Sequence, residues 1–96
     1  MDRPIAVFDS GLGGLSVLRA LRRQMPQERF LYFGDSANAP YGSRPTEEIR
    51  ALTLRSAEQL FRAGAKALVV ACNTATSAAI EELRARYPER IIVGIV

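Results

Sequence analysis

Four short apolar runs, separated by stretches in which apolar and charged residues alternate at helical spacing, constrain this 96-residue chain more than any other feature. Ile5-Ala6-Val7-Phe8 lies between Pro4 and Asp9-Ser10-Gly11, and Phe30-Leu31-Tyr32-Phe33 runs into Gly34-Asp35. Ala67-Leu68-Val69-Val70-Ala71 leads at once to Cys72-Asn73-Thr74, and Ile91-Ile92-Val93-Gly94-Ile95-Val96 comes last. Each run reads as a strand, and the first, Ile5-Ala6-Val7-Phe8, as one buried on both faces. Between the first two, Leu15, Leu18, Leu21 and Met25 recur at helical spacing opposite Arg19, Arg22 and Arg23, and Pro26 ends that helix. Ile49, Leu52, Leu60 and Phe61 form a second stripe, with Pro45 as the predicted first helical residue, Glu47 and Glu48 in the first turn and Gly64 as the stop. Ala78, Ile80, Leu83 and Tyr87 mark a third helix, closed by Pro88. The order β-α-β-α-β-α-β predicts an α/β fold: an open parallel sheet of four strands, right-handed crossovers and helices on both faces.

Ninety-six residues make one small domain at most, burying roughly two-thirds of the unfolded surface. The net charge of +3 comes from twelve arginines and one lysine, Lys66, against ten acids. The arginines are spread over the predicted helices without interleaved aromatics, so they read as a solvated surface and no nucleic-acid partner is expected. No apolar run is long enough to span a membrane, and Met1-Asp2-Arg3-Pro4 leads into the first strand without the features of a signal peptide. The expected location is the cytoplasm. One cysteine excludes an intrachain disulfide, and without histidine there is no sensible zinc set. The chain ends on an apolar strand with no closing helix, so the expectation is residues 1–96 as an incomplete α/β domain.

Ligands of open α/β sheets sit outside the carboxyl ends of the strands, and the unusual residues gather there. The first turn, Asp9-Ser10-Gly11-Leu12-Gly13-Gly14, offers glycine amides at a helix N-terminus, which suits a ligand anion; its plainer use is a turn in which Asp9 or Ser10 caps the helix. The same turn nearly matches a dinucleotide fingerprint, Gly11-x-Gly13-x-x-Ser16, with Asp35 where a ribose-binding acid belongs. A nucleotide-binding module using the Gly11–Gly14 turn is therefore the alternative, although Ser16 is larger than the motif wants and Asp9 would face the pyrophosphate. Cys72 is the most informative residue. An isolated cysteine at a strand end is usually an apolar filler, but this one opens a helix, whose N-terminus favours a thiolate as base or nucleophile. Asn73 or Thr74 reads as the helix cap.

Three motifs in order, Phe8-Asp9-Ser10-Gly11-Leu12-Gly13-Gly14, Gly34-Asp35 with Pro40-Tyr41-Gly42, and Ala71-Cys72-Asn73-Thr74-Ala75, resemble the glutamate racemases of the aspartate/glutamate racemase superfamily. The resemblance implies interconversion of L- and D-glutamate without pyridoxal phosphate, metal or other cofactor, supplying D-glutamate for peptidoglycan. It implies two cysteines, one on each face of Cα. Cys72 matches the first, and the second, in a Cys-Thr-His segment of the family's other half, has no counterpart here. Asp9 and Cys72 match catalytic positions; Asp9, Ser10, Tyr41, Gly42, Asn73 and Thr74 match substrate-binding ones. Lys66, at the start of a strand away from the rim, is a poor Schiff-base candidate. The chain then corresponds to the first part of a two-domain enzyme, short of its second domain and closing segment, with glutamate as small-molecule partner and a homodimer left open. A sibling racemase acting on aspartate or hydantoins is a second enzyme reading.

Overall fold

The computed structural model describes residues 3–11 and 13–95. Met1, Asp2, Leu12 of the glycine turn and Val96 of the predicted last strand lie outside the described residues. Strands β1 (Ile5–Asp9), β2 (Phe30–Gly34), β3 (Ala67–Val70) and β4 (Ile91–Gly94) form one parallel sheet in the order β2-β1-β3-β4. Val7 pairs with Tyr32 on one side and Val69 on the other, and Val69 pairs with Val93. Helices α1 (Leu15–Gln24), α2 (Thr46–Arg62) and α3 (Asn73–Arg86) make the crossovers, and two short 3₁₀ turns, Ser36–Asn38 and Tyr41–Ser43, precede α2. The third strand ends at Val70, one residue before the apolar run does, and the fourth at Gly94.

The strand order explains the layering. The step from β1 to β2 runs one way across the sheet, and the steps from β2 to β3 to β4 run the other. Right-handed crossovers then put α1 on one face and α2 and α3 on the opposite face. On the second face Ala6, Phe8, Leu68, Val70 and Ile92 meet Ile49, Leu52, Leu60 and Phe61 of α2 and Ala75, Ala79 and Leu83 of α3. Phe8 and Leu68 are almost wholly buried, each contributing about 1.5–3 kcal/mol of hydrophobic stabilisation. The first face is covered less completely. Val17 and Leu21 of α1 and its C-cap Met25 look across an open apolar groove of about 740 Å³ at Ile5, Val69, Ile91 and Val93. Burial on both faces, expected of the first strand, holds for β1, whereas on the edge strand β4 Ile91 is 68% exposed and Val93 48%.

Helix α2 corrects one boundary. Pro45 is its N-cap, with extended ψ of 149°, and its carbonyl accepts the first helical bonds from the amides of Glu48 and Ile49; the helix proper starts at Thr46. At the other end the amide of Ala65 bonds the carbonyl of Leu60 and that of Gly64 bonds Phe61, a Schellman closure. Gly64 adopts φ of 105° there, a conformation a side chain would strain.

Candidate active site

Because β1 leads to α1 on one face and β3 to α3 on the other, the crevice between their carboxyl ends is the topological switch point of the sheet. Both strands deliver their polar residues to it. Ser10 follows β1 and Cys72 follows β3, and the Cys72 thiol donates to the Ser10 hydroxyl across 3.5 Å. The loop after β2 joins the same rim, since the amide of Asp35 bonds the carbonyl of Asp9. All three predicted turns therefore meet.

Asp9 is buried, and its carboxylate turns back on its own loop. Oδ2 accepts the amide of Gly14 at 2.8 Å and that of Gly11 at 3.3 Å. Two of the amides expected to receive a ligand anion are thus already taken by the chain's own anion. Close packing keeps the turn in place. A Cβ at Gly14 would come within 2.9 Å of the Asp9 Cβ, and one at Gly34 would overlap the carbonyl oxygen of Gly11. The Tyr32 hydroxyl donates to that same carbonyl at 2.8 Å. Desolvation, and then the negative charge of Asp9, raise the Tyr32 phenol above its ordinary value, so this clamp stays protonated. Tyr32 was not legible as a site residue; a tyrosine inside an apolar strand run looks like core.

Cys72 itself is the N-cap of α3. Its extended backbone (φ −117°, ψ 122°) aims Sγ at the amide of Ala75, which donates to the sulfur at 3.5 Å. This corrects the assignment of the cap to Asn73 or Thr74, which are instead the first two helical residues. Buried Thr76 secures the cap from behind, its hydroxyl donating to the carbonyl of Cys72 at 2.9 Å. Cys72 is 9% exposed. The amides of Asn73 and Thr74, in the first turn, have no carbonyl four residues back within the helix to bond, so they can serve a ligand anion. Asn73 is exposed and Thr74 half-buried, and with Thr46, Ile49, Ser77 and Ala78 they line an open cleft of about 480 Å³ between the starts of α2 and α3. Cys72 and Ser10 stand beside that cleft and do not line it.

Tyr41 and Gly42 divide their roles. The Tyr41 ring is buried against Phe8, with centroids 6.1 Å apart, and its hydroxyl donates to the Asp35 carboxylate at 2.6 Å. The side chain is therefore not available to a ligand; what the loop offers at the rim is backbone, with Gly42 exposed. Asp35 is itself buried and also accepts from the side-chain amide of Asn38. An acid so enclosed cannot reach a ribose. With Asp9 occupying the turn's amides, both features that carried the dinucleotide alternative are used internally. Lys66 lies just before β3 and pairs with Glu28 at 2.6 Å, at the opposite end of the sheet from Cys72.

The assembled rim can bind a carboxylate at the start of α3, place a thiol beside it and exclude water from the thiol's inner side. No helix among the described residues is long and apolar enough to cross a membrane. No protein-family model matches the chain. Its sequence is 58% identical over 89 residues to the glutamate racemase of Bifidobacterium animalis subsp. lactis, covering 93% of this chain and 34% of that enzyme. Among solved structures, the glutamate racemase of Thermus thermophilus in complex with β-chloro-D-alanine superposes with a TM-score of 0.93 at 52% identity, covering 97% of this chain and 36% of that one. That of Francisella tularensis in complex with D-glutamate gives 0.91 at 34% identity, covering 97% and 35%. The chain thus spans about a third of the length of the relatives it matches.

Proposed function

As this chain is homologous to the glutamate racemases over nearly its whole length, we propose that it forms one wall of a site that interconverts L- and D-glutamate, with Cys72 as the acid–base group of that wall. The observation that carries this reading is the thiol at the switch point, held between the Ser10 hydroxyl and the Ala75 amide. In the forward step the Cys72 thiolate takes the Cα proton: an S–H bond forms, the Cα–H bond breaks, and its electron pair passes into the adjoining carboxylate. A second acid on the opposite face, supplied from outside these 96 residues, returns a proton to Cα. The reverse direction exchanges the two roles.

Each remaining residue has a part consistent with its surroundings. The first-turn amides and side chains of Asn73 and Thr74 bind a carboxylate at the positive end of α3. Ser10 can turn its hydroxyl toward the thiolate once the proton has left, which stabilises the negative sulfur. Asp9 sets the shape of the Ser10 turn and adds negative charge that suits a substrate ammonium. Tyr41 and Gly42 contribute backbone. The wall belongs to the first domain of a larger cytoplasmic enzyme that needs no added cofactor and feeds D-glutamate to peptidoglycan.

A chimera in which this sequence replaces the matching part of the Thermus thermophilus enzyme tests the substrate assignment, with circular dichroism to establish folding. Chiral chromatography should then show D- and L-glutamate interconverting and L-aspartate left unchanged. A folded chimera that racemises aspartate in preference to glutamate overturns the assignment in favour of the sibling reading.

A further inference from the structure

Asp35 is the one buried carboxylate on the rim that the proposed chemistry leaves without a role. It is 8% exposed and none of the ion pairs among the described residues includes it. Burying a carboxylate outside any ion pair is costly, and among the described residues hydrogen bonds offset that cost, from the Tyr41 hydroxyl at 2.6 Å and the Asn38 side-chain amide at 3.0 Å. An apolar pair filling the same volume would serve the core at least as well. What the carboxylate achieves is directional. Its two donors are three and six residues on, at either side of the Ala39-Pro40 step, so one group fixes both halves of the loop. Asn38 passes the restraint onward, because its carbonyl accepts from Nε of Arg44, which in turn pairs with Glu48 in the first turn of α2. The Tyr41 ring is driven inward against Phe8, and the 3₁₀ turn Tyr41–Ser43 is thereby pressed against α3, the helix that Cys72 caps.

We propose that Asp35 is a positioning residue, a buried strut that holds the Tyr41-Gly42 backbone against the start of α3 and so sets the width of the glutamate site. The assignment rests on the racemase reading of the rim, and it concerns binding geometry; Asp35 does not touch the reacting atoms.

Hydrogen–deuterium exchange of the folded chimera with the Thermus thermophilus enzyme, with and without D-glutamate, tests it. Asp35→Ala should speed amide exchange across residues 42–44 about tenfold, the ratio expected when a hydrogen bond to a charged group is lost. It should also abolish protection of the Asn73–Ala75 amides by D-glutamate. Asp35→Asn keeps an acceptor for the tyrosine and should restore both properties, a rescue that a general loss of stability would not give. If Asp35→Ala does not fold, Tyr41→Phe removes the same bond and leaves the ring packing, and it should loosen residues 42–44 in the same way. Unchanged exchange in the folded variant overturns the strut, as does an Asn variant no better than Ala. A folded chimera with the wild-type sequence whose Asn73–Ala75 amides ignore D-glutamate counts against the racemase reading instead, and the exchange of residues 42–44 still decides the strut.

Discussion

The turns after β1 and β3 are built on one plan and finished differently. Each leaves a buried strand, runs over a polar residue and enters a helix, and each has a side chain reaching for a backbone amide. After β1 the acceptor is a carboxylate, Asp9, which takes two amides, one of them at 2.8 Å. After β3 it is a sulfur, Cys72, which takes one amide at 3.5 Å and shares its proton with Ser10. An ionised oxygen acceptor makes a strong bond and sulfur a weak one. The first turn is therefore closed on itself, while the second leaves its acceptor group free to do chemistry. Glycine content alone does not tell the closed turn from the open one.

Damage to the first turn should therefore cost more stability than damage to the second. Gly34→Ala should have the largest effect, because its Cβ overlaps the Gly11 carbonyl, which Tyr32 also holds; a loss of about 3 kcal/mol in urea unfolding is expected. Asp9→Ala strands two amides and should cost about 2 kcal/mol in the same assay. Tyr32→Phe, removing a single neutral bond, should cost about 1 kcal/mol. Cys72→Ala should cost least, about 0.5 kcal/mol, since its cap bond is long. Equal losses from Asp9→Ala and Cys72→Ala would erase the distinction between the turns.

The loop after β2 adds a pH signature. Burial first, then the hydrogen bond to Asp35 and the negative charges at Asp35 and Cys72, push the Tyr41 phenol well above its ordinary value, with Arg44 opposing. A raised phenol means that the unfolded chain releases its proton first, at about pH 10. The native state then binds more protons than the unfolded one. Stability from this source is fully present below about pH 10 and is lost as pH rises further. Unfolding midpoints measured from pH 8 upward should fall beyond pH 10, and Tyr41→Phe should flatten that fall.

Much of this was legible in the sequence. Runs of four to six apolar residues between helical stripes determine the element order, and parallel strands force their carboxyl ends to one rim. Which helix lies on which face follows from the strand order, and that order depends on which strands pair, a fact no local pattern carries. The Cys72 cap was missed because Asn and Thr are the customary capping types, while a sulfur cap depends on the particular backbone that β3 imposes. The bond from Asp35 to Tyr41 was hidden by an irregular loop. Asp9 showed a local signal, an acid followed within five residues by three glycines, which fits capping and ligand binding equally; the two amide distances establish the turn-closing role. The stripe of α1 was visible as apolar, yet Leu15 is 37% exposed, since a pattern records which side chains favour burial and not what lies over them.

Whether Cys72 moves the Cα proton is decided by isotope exchange. In deuterated buffer, the chimera with the Thermus thermophilus enzyme should wash the Cα hydrogen out of glutamate, read by proton NMR. Cys72→Ala should slow that exchange by about 10²–10⁴-fold, the range for loss of a positioned acid–base group, while the melting temperature stays close to that of the parent. Exchange that persists at the parental rate in Cys72→Ala would contradict the account.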